Sequence, residues 1–304
     1  MKRAFSKIRS KSPVSSALLR WYRKNGRSLP WRNEKDPYRI LVSEVMLQQT
    51  QVSRVLIKYP EFLAKYPTFR RLARARTSDV IRAWRGMGYN NRALRLRSLA
   101  QTVVRDFGGS LPSTIEALQN LPGIGRYTAH AIGCFAFEQR VPIVDTNIVR
   151  VFNRLFPARQ HSPRQTREIW TLAEDKLPRS NVHDWNQGLM DLGAMICTVS
   201  IPRCDVCPLK AYCPSAHTIR RSAPRPSGTE PGRKGIPNRI YRGKAIEILR
   251  DLKPGGTMSS SALARAVIPD YSDKDQRWFF ALLQTLERDG LVRMRGRTRI
   301  SLPD

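Results

Sequence analysis

Acidic residues are scarce in this 304-residue chain: 24 Asp and Glu stand against 54 Lys and Arg, and the formal net charge is +30. The imbalance runs through the whole sequence rather than sitting in one tail, and a charge this large favours a polyanion partner. Long apolar runs are missing too. None approaches the roughly 18 residues of a membrane span, and no lipidation signal is present, so a membrane is not the expected polyanion. The N-terminal MKRAFSKIRSKSP is basic but lacks the apolar stretch of a signal peptide, which leads to an expected cytoplasmic location. Strand-like alternation is absent as far as residue 213, so the first domain is expected to be all-α. Cysteine is nearly absent outside one cluster: Cys134 stands alone, and the other four lie within residues 197–213. A hydrophobic content of 41% nonetheless supports real cores and excludes a disordered tail protein.

Five segments follow from composition and periodicity. Residues 1–13 read as a basic arm, 14–196 as a helical domain, 197–213 as a cysteine loop, 214–240 as a basic linker and 241–304 as a small second domain. Within the helical domain, VSSALLRWYRKN is amphipathic and is stopped by Gly26. The loop RSLPWRNEKDPYR strands Trp31 and Arg32 between two prolines, where an exposed pair either covers a core edge or lines a base pocket by stacking. Helical periodicity returns from Ile40 to Lys58. Asn91 to Phe107 reads as a long basic helix closed by Gly108-Gly109, and further helices are expected at about 113–119, 126–138, 147–156, 164–177 and 183–196. The linker holds too few apolar residues to fold alone. Beyond it, three helices and the short strands LVRM and RISL around Arg-Gly-Arg-Thr resemble a winged helix, a module that either binds DNA or packs on a partner.

The chemistry is concentrated in Leu121–Arg150. Gly123 and Gly125 in LPGIGR permit a tight turn with close backbone approach. A helix starting at about Arg126 leaves unpaired N–H groups at its first turn, which bind an anion, and a DNA phosphate suits a chain this basic. About twenty residues later, Asp145 in VPIVDTN follows an apolar run and precedes a helix. It is either a helix-capping aspartate or a catalytic carboxylate. Glu44 is one acid among apolar neighbours; partly buried, it would have a raised pKa and suit a general acid. Gln48, Gln49, Thr50 and Gln51 offer uncharged donors and acceptors for base edges. Cys197-x6-Cys204-x2-Cys207-x5-Cys213 can bind tetrahedral zinc or an iron–sulfur cube, with a single Cys-x2-Cys knuckle and no histidine inside the cluster. Cys134, on an apolar helix, reads as a buried small hydrophobe.

Over residues 14–215, LPGIGRYT, the acid in VDTN and the cysteine loop together resemble the endonuclease III superfamily of DNA glycosylases. Within that stretch LPWR, SEVMLQQTQV, GMGY and GLMDLGAMICT look like the MutY-type adenine glycosylases. The resemblance implies a two-lobed helical domain with a helix–hairpin–helix and an iron–sulfur loop; with the small winged-helix-like C-terminal domain read from residues 241–304, the expected fold is mainly α. It implies a [4Fe–4S] cluster on Cys197, Cys204, Cys207 and Cys213. It also implies base flipping and hydrolysis of an N-glycosidic bond, with adenine opposite 8-oxoguanine or guanine as the substrate. Carried over by motif, Glu44 would protonate N7 of adenine and help activate water, and Asp145 would stabilise the cationic sugar. Trp31, Arg32 and Gln187 would border the adenine pocket. Gln49, Thr50, Met87 and Tyr89 would fill the gap and meet the opposing base. Gly123, Gly125 and the N–H groups at Arg126 would grip a phosphate. Tyr127 stands where the strand-cleaving branch has lysine, which implies a monofunctional enzyme.

The expected partner is double-stranded DNA with a mispaired or damaged base, and the expected protein a nucleoid-associated monomer. Two departures from the MutY pattern stand out. Asn90 follows GMGY where a second aromatic is usual, and residues 241–304 are too short and too helical for the usual Nudix-like C-terminal domain. Tyrosine at 127 also occurs in archaeal mismatch-specific thymine glycosylases, so a G·T/G·U thymine or uracil glycosylase is the alternative reading. A third is a non-catalytic DNA-binding protein that keeps hairpin and cluster as a scaffold; retention of both Glu44 and Asp145 argues against it.

Overall fold

The structure, a computed structural model, describes residues 12–157, 166–219, 230–296 and 298–304. The basic arm expected at the N-terminus lies outside the described residues except for Ser12 and Pro13. In chain order the helices are Pro13–Asn25 (α1), Pro37–Leu47 (α2), Val52–Lys65 (α3), Phe69–Ala73 (α4), Thr77–Ala83 (α5), Asn91–Asp106 (α6), Ile115–Gln119 (α7), Arg126–Phe135 (α8), Thr146–Leu155 (α9), Thr166–Lys176 (α10) and Val182–Met195 (α11). After the cysteine loop come Gly232–Arg233 (β1), Ile236–Pro237 (β2), Asn238–Asp251 (α12), Met258–Ser259 (β3), Ser260–Val267 (α13), Gln276–Arg288 (α14), Arg293–Arg295 (β4) and Arg299–Ser301 (β5). Among the described residues no helix is long and apolar enough to cross a membrane.

The chain forms two compact units, one of Met1–Pro37 with Gly125–Pro224, the other of Tyr38–Ile124 with Arg225–Asp304. In the first, α1, α9, α10 and α11 pack around one apolar core. Helix α9 shows why. Ile148, Val151, Phe152 and Leu155 fall at i, i+3, i+4 and i+7, and all four are buried. On α11 the charged side chain of Asp191 is also fully buried.

In the second unit, the single helix expected over Ile40–Lys58 is two helices. The break falls at residues 48–51, where Gln49 has a left-handed φ of 55° that non-glycine residues rarely adopt. The C-terminal part runs helix–strand–helix–helix–strand–strand, with an antiparallel sheet in the order β3-β5-β4, the arrangement of a winged helix. Its core of Ile246, Leu249, Leu263, Leu283 and Ile300 also takes in Ile81 of α5. The end of the expected linker is folded. The hairpin β1–β2 is held by Arg233, which pairs with Asp270 at 2.8 Å and Asp275 at 2.6 Å. Charge pairing there does what the sparse apolar residues do not.

Asp191 fixes the entry to the first unit. It accepts from Arg32 Nη2 at 2.7 Å and Nη1 at 3.0 Å, from Arg27 Nε at 2.7 Å and from the Arg27 backbone N–H at 2.9 Å. Asp191→Asn removes the counter-charge and leaves the buried Arg32 guanidinium uncompensated. Urea unfolding should show a loss of about 3–5 kcal/mol; a loss under about 1 kcal/mol contradicts the pairing.

Candidate functional site

Leu121–Ile124 closes a turn, with Ile124 N–H bonded to the Leu121 carbonyl at 3.2 Å. Gly123 sits at φ 81°, which only glycine adopts without strain. Gly125 does not share that conformation. It is the extended N-cap of α8, and a Cβ built there would meet nothing within 4 Å. Its smallness leaves open space beside the first turn of α8, whose N–H groups have no carbonyl partner within the helix. Arg126 is exposed and stacks over the Trp170 ring at 4.0 Å, while Tyr127 is half-buried. Cys134, further along α8, is a buried thiol that accepts from Asn186 Nδ2 at 3.3 Å, and burial pushes its pKa up to about 11.

Asp145 is both a cap and a positioned carboxylate. One oxygen accepts from the Ile148 N–H at 2.7 Å, which opens α9; the other accepts from Asn147 Nδ2 at 2.8 Å. Asn147 Oδ1 accepts in turn from Arg150 Nη2 at 2.8 Å. Arg150 also donates to the carbonyls of Cys197 and Gly193, each at 2.7 Å. One turn on, Arg154 donates to the Cys197 sulfur at 3.3 Å and to the Thr198 carbonyl at 2.7 Å. A continuous polar chain therefore runs along α9 from a carboxylate at its N-terminus to the cysteine loop. None of Asn147, Arg150 and Arg154 stood out in the sequence; the signal available was their i, i+3, i+7 spacing along a helix whose opposite face is apolar.

The cysteine loop turns tightly, with the Cys207 N–H bonded to the Cys204 carbonyl at 3.2 Å. Cys197, Cys207 and Cys213 pack against the core of the first unit. Burial pushes the Cys207 thiol up to about 11, and the Cys197, Cys213 and Cys204 sulfurs add to the rise, so the four lie in one another's field. Among the described residues no three His, Cys, Asp or Glu side chains form a group able to hold a single metal ion.

Trp31 and Arg32 are not the exposed pair the loop composition implied: each is only 7% exposed. Arg32 is held by Asp191 and by Tyr22, whose hydroxyl accepts from Nη1 at 3.0 Å. Burial opposes the Arg32 charge, but the bonds to Asp191 outweigh it and keep its pKa above the ordinary value. Gln187 of α11 is also buried, beside Asn186, which bonds the Ile143 N–H and the Val141 carbonyl.

In the second unit the residues expected to read a base pair gather around one unexpected side chain. Arg92, at the start of α6 and 6% exposed, donates through Nη1 to the carbonyls of Val45 and Met46, both at 2.9 Å, and of Gln48. Through Nη2 it donates to Thr50 Oγ1 at 2.8 Å and to the carbonyls of Met87 at 2.9 Å and Gly88 at 3.2 Å. The last carbonyls of α2 have no partner within the helix, and a guanidinium is well suited to cap them. Thr50 Oγ1 also donates to the Met87 carbonyl at 3.1 Å. Arg92 thereby ties the 48–51 break to the 86–89 turn. Burial pushes its pKa down to about 10, which leaves it charged at neutral pH. Glu44 is buried on α2, one turn before this cap. Gln49 is exposed, and so is Tyr89, whose φ of 42° is again left-handed. Met87 was expected beside them as a gap-filling side chain; it is 2% exposed, turned into the core by the same turn that carries its carbonyl to Arg92.

Replacing Arg92 by Met removes one donor from each of six acceptors, of which the Met87 and Gly88 carbonyls keep another. Bonds to a charged donor contribute roughly 1.5–3 kcal/mol each where buried, so unfolding free energy should fall by at least about 3 kcal/mol. Arg92→Lys, with fewer donors and no fork, should recover only part of it. Equal stability of Met and wild-type proteins contradicts the role.

The family model for HhH-GPD superfamily base excision DNA repair proteins matches residues 42–174. The chain is 38% identical over 297 residues to the adenine DNA glycosylase of Mycobacterium tuberculosis, covering 94% of this chain and 92% of that protein. Among solved structures, a thermostable thymine-DNA glycosylase is similar with a TM-score of 0.64 and 34% identity, over 68% of this chain and 96% of that one. A non-covalent endonuclease III–DNA complex shares the fold, with a TM-score of 0.59 and 21% identity over 67% of this chain and 94% of that one. The helix–hairpin–helix turn, the carboxylate that follows it and a likeness spanning nearly the whole chain agree: the chain belongs to the HhH-GPD superfamily of base excision DNA repair proteins and is a DNA glycosylase.

Proposed function

We propose that this glycosylase binds double-stranded DNA and releases adenine mispaired with 8-oxoguanine or guanine, hydrolysing the N-glycosidic bond without cutting the strand. The observation that carries the reading is the likeness to the mycobacterial adenine DNA glycosylase across 94% of the chain. It is joined by a buried glutamate in SEVMLQQT and an oriented aspartate after the hairpin. The similar thymine-DNA glycosylase structure, at 34% identity over 68% of the chain, supports the second reading, a G·T/G·U thymine or uracil glycosylase.

Base departure needs a proton on the leaving group and stabilisation of an oxocarbenium-like sugar. Glu44, held on α2 and shielded from solvent, is suited to give the proton to N7 of a flipped adenine and to orient water. Asp145 is suited to face the cationic sugar, because donors on both oxygens hold its carboxylate in one orientation. Tyr127 offers no primary amine, so no Schiff base forms there. The first turn of α8 with Gly123, Gly125 and Arg126 grips a phosphate. Trp31 and Gln187 border the base pocket, with Arg32 acting through Asp191 and Tyr22 to hold the Trp31 loop in place. Gln49, Thr50 and Tyr89 meet the opposing base, and Met87 supports them from the core.

The four cysteines suit a [4Fe–4S] cluster. The Cys197, Cys204 and Cys213 sulfurs lie close enough to Cys207 to add to the rise of its pKa, and the Arg154 N–H bonds the Cys197 sulfur as a donor to a cluster thiolate would. When bound, such a cluster ties the loop into one rigid unit, with Arg203 and Lys210 available to the DNA backbone.

Single-turnover assays on duplexes with one 8-oxoG·A, G·A, G·T or G·U pair test the proposal. Adenine release from 8-oxoG·A, with strand breaks only after alkali, is expected; Glu44→Gln and Asp145→Asn should slow it by about 10²–10⁴-fold. Release confined to G·T or G·U supports the second reading and contradicts the first. Gly193→Ala probes the polar chain on α9, because its Cβ would sit 2.7 Å from Asn147 Cβ. Asn147 must shift, and adenine release should slow about 10²-fold at unchanged duplex affinity.

A further inference from the structure

Asn90 occupies the N-cap of α6 but makes no side-chain cap to its own helix. Its Oδ1 accepts instead from Arg250 Nη2 at 2.8 Å, across a sequence separation of 160 residues. Arg250 lies on α12, in the winged-helix part of the second unit, and is 5% exposed. Its Nε donates to the Ile81 carbonyl at 2.9 Å, and Nη1 donates to Glu247. Around it, Arg82 Nη2 donates to the Leu252 carbonyl at 3.0 Å and Arg85 pairs with Glu247 at 3.3 Å and with Asp251.

The 86–90 turn is thus gripped from two sides. Arg92 holds the carbonyls of Met87 and Gly88 and has its guanidinium 5.8 Å from the Tyr89 ring. Arg250 holds the side chain of Asn90. Between them stands Tyr89, in a left-handed backbone conformation that is strained for a non-glycine residue and persists only where its surroundings over-determine it. Tyr89 is 53% exposed.

We propose that the winged-helix part braces this turn and that Arg250 is a positioning residue for Tyr89, setting how strongly the enzyme distinguishes the base opposite its target. The proposal rests on the adenine glycosylase reading. A buried guanidinium shared between α5, α12 and the turn transmits the placement of α12 directly to Asn90, one residue from Tyr89.

The test uses the full chain: wild type, Asn90→Ala, Arg250→Gln, Arg250→Lys, Tyr89→Ala and the Arg250→Gln/Tyr89→Ala double variant. Single-turnover rates and duplex affinities are measured on 8-oxoG·A and G·A, with thermal unfolding in parallel. The expected result is an 8-oxoG·A to G·A rate ratio compressed about tenfold in Asn90→Ala and Arg250→Gln, partly restored in Arg250→Lys. The double variant should be no worse than Tyr89→Ala, since both substitutions act through one ring. Should Arg250→Gln fail to fold, Asn90→Ala, which removes only the acceptor, carries the same prediction. An unchanged ratio, or an equal fall on both duplexes, in an active enzyme overturns the inference. Wild-type protein that releases adenine from neither duplex overturns the proposed function itself, and this inference with it.

Discussion

A guanidinium taken out of water must find donors' worth of acceptors in the protein, and this fold is organised by that demand. Three arginines are buried among the described residues: Arg32, Arg92 and Arg250. Arg32 answers to the Asp191 carboxylate and fixes the loop that carries Trp31. Arg92 answers almost wholly to main-chain carbonyls and joins the end of α2 to the 86–89 turn. Arg250 joins that turn to the winged-helix part. In a chain of 54 cations and 24 acids, most arginines among the described residues keep contact with solvent. Those that turn inward hold together loops with little apolar surface of their own.

The half-buried Arg150 extends the same logic to α9. Its bonds to Asn147, Gly193 and Cys197 make one helix the link between the oriented Asp145 and the cysteine loop. The close approach of α11 at Gly193 is possible because there is no side chain there: a Cβ would collide with Asn147. In the proposed chemistry this places the carboxylate by its neighbours' geometry rather than by its own rotamer preference, so changes in the loop are felt at Asp145 without any direct contact.

Much of this was legible in the sequence where local rules suffice. The start of α8 at Arg126, the capping role of Asp145, the burial of Cys134 and the strands around Arg293–Ser301 follow from glycine placement, capping chemistry and periodicity. What was not legible depends on partners distant in the chain. Arg92 looks like any cation on a basic helix until the fold brings five carbonyls to it. The break at residues 48–51 has no proline or glycine to announce it and is held open by that arginine. Trp31 and Arg32, set between prolines, have the composition of an exposed loop and are buried because Asp191 arrives from 159 residues away. An acid inside GLMDLGAM, in so acid-poor a chain, was the available signal.

The account turns on the polar chain that orients Asp145, and Asn147→Ala removes one of the two donors to that carboxylate while leaving Asp145 and the cysteines themselves in place. Its adenine-release rate from an 8-oxoG·A duplex, at saturating enzyme and beside a measured duplex affinity, is the most direct test. The account predicts release slowed by about 10²-fold with affinity unchanged. Release at the wild-type rate would contradict it.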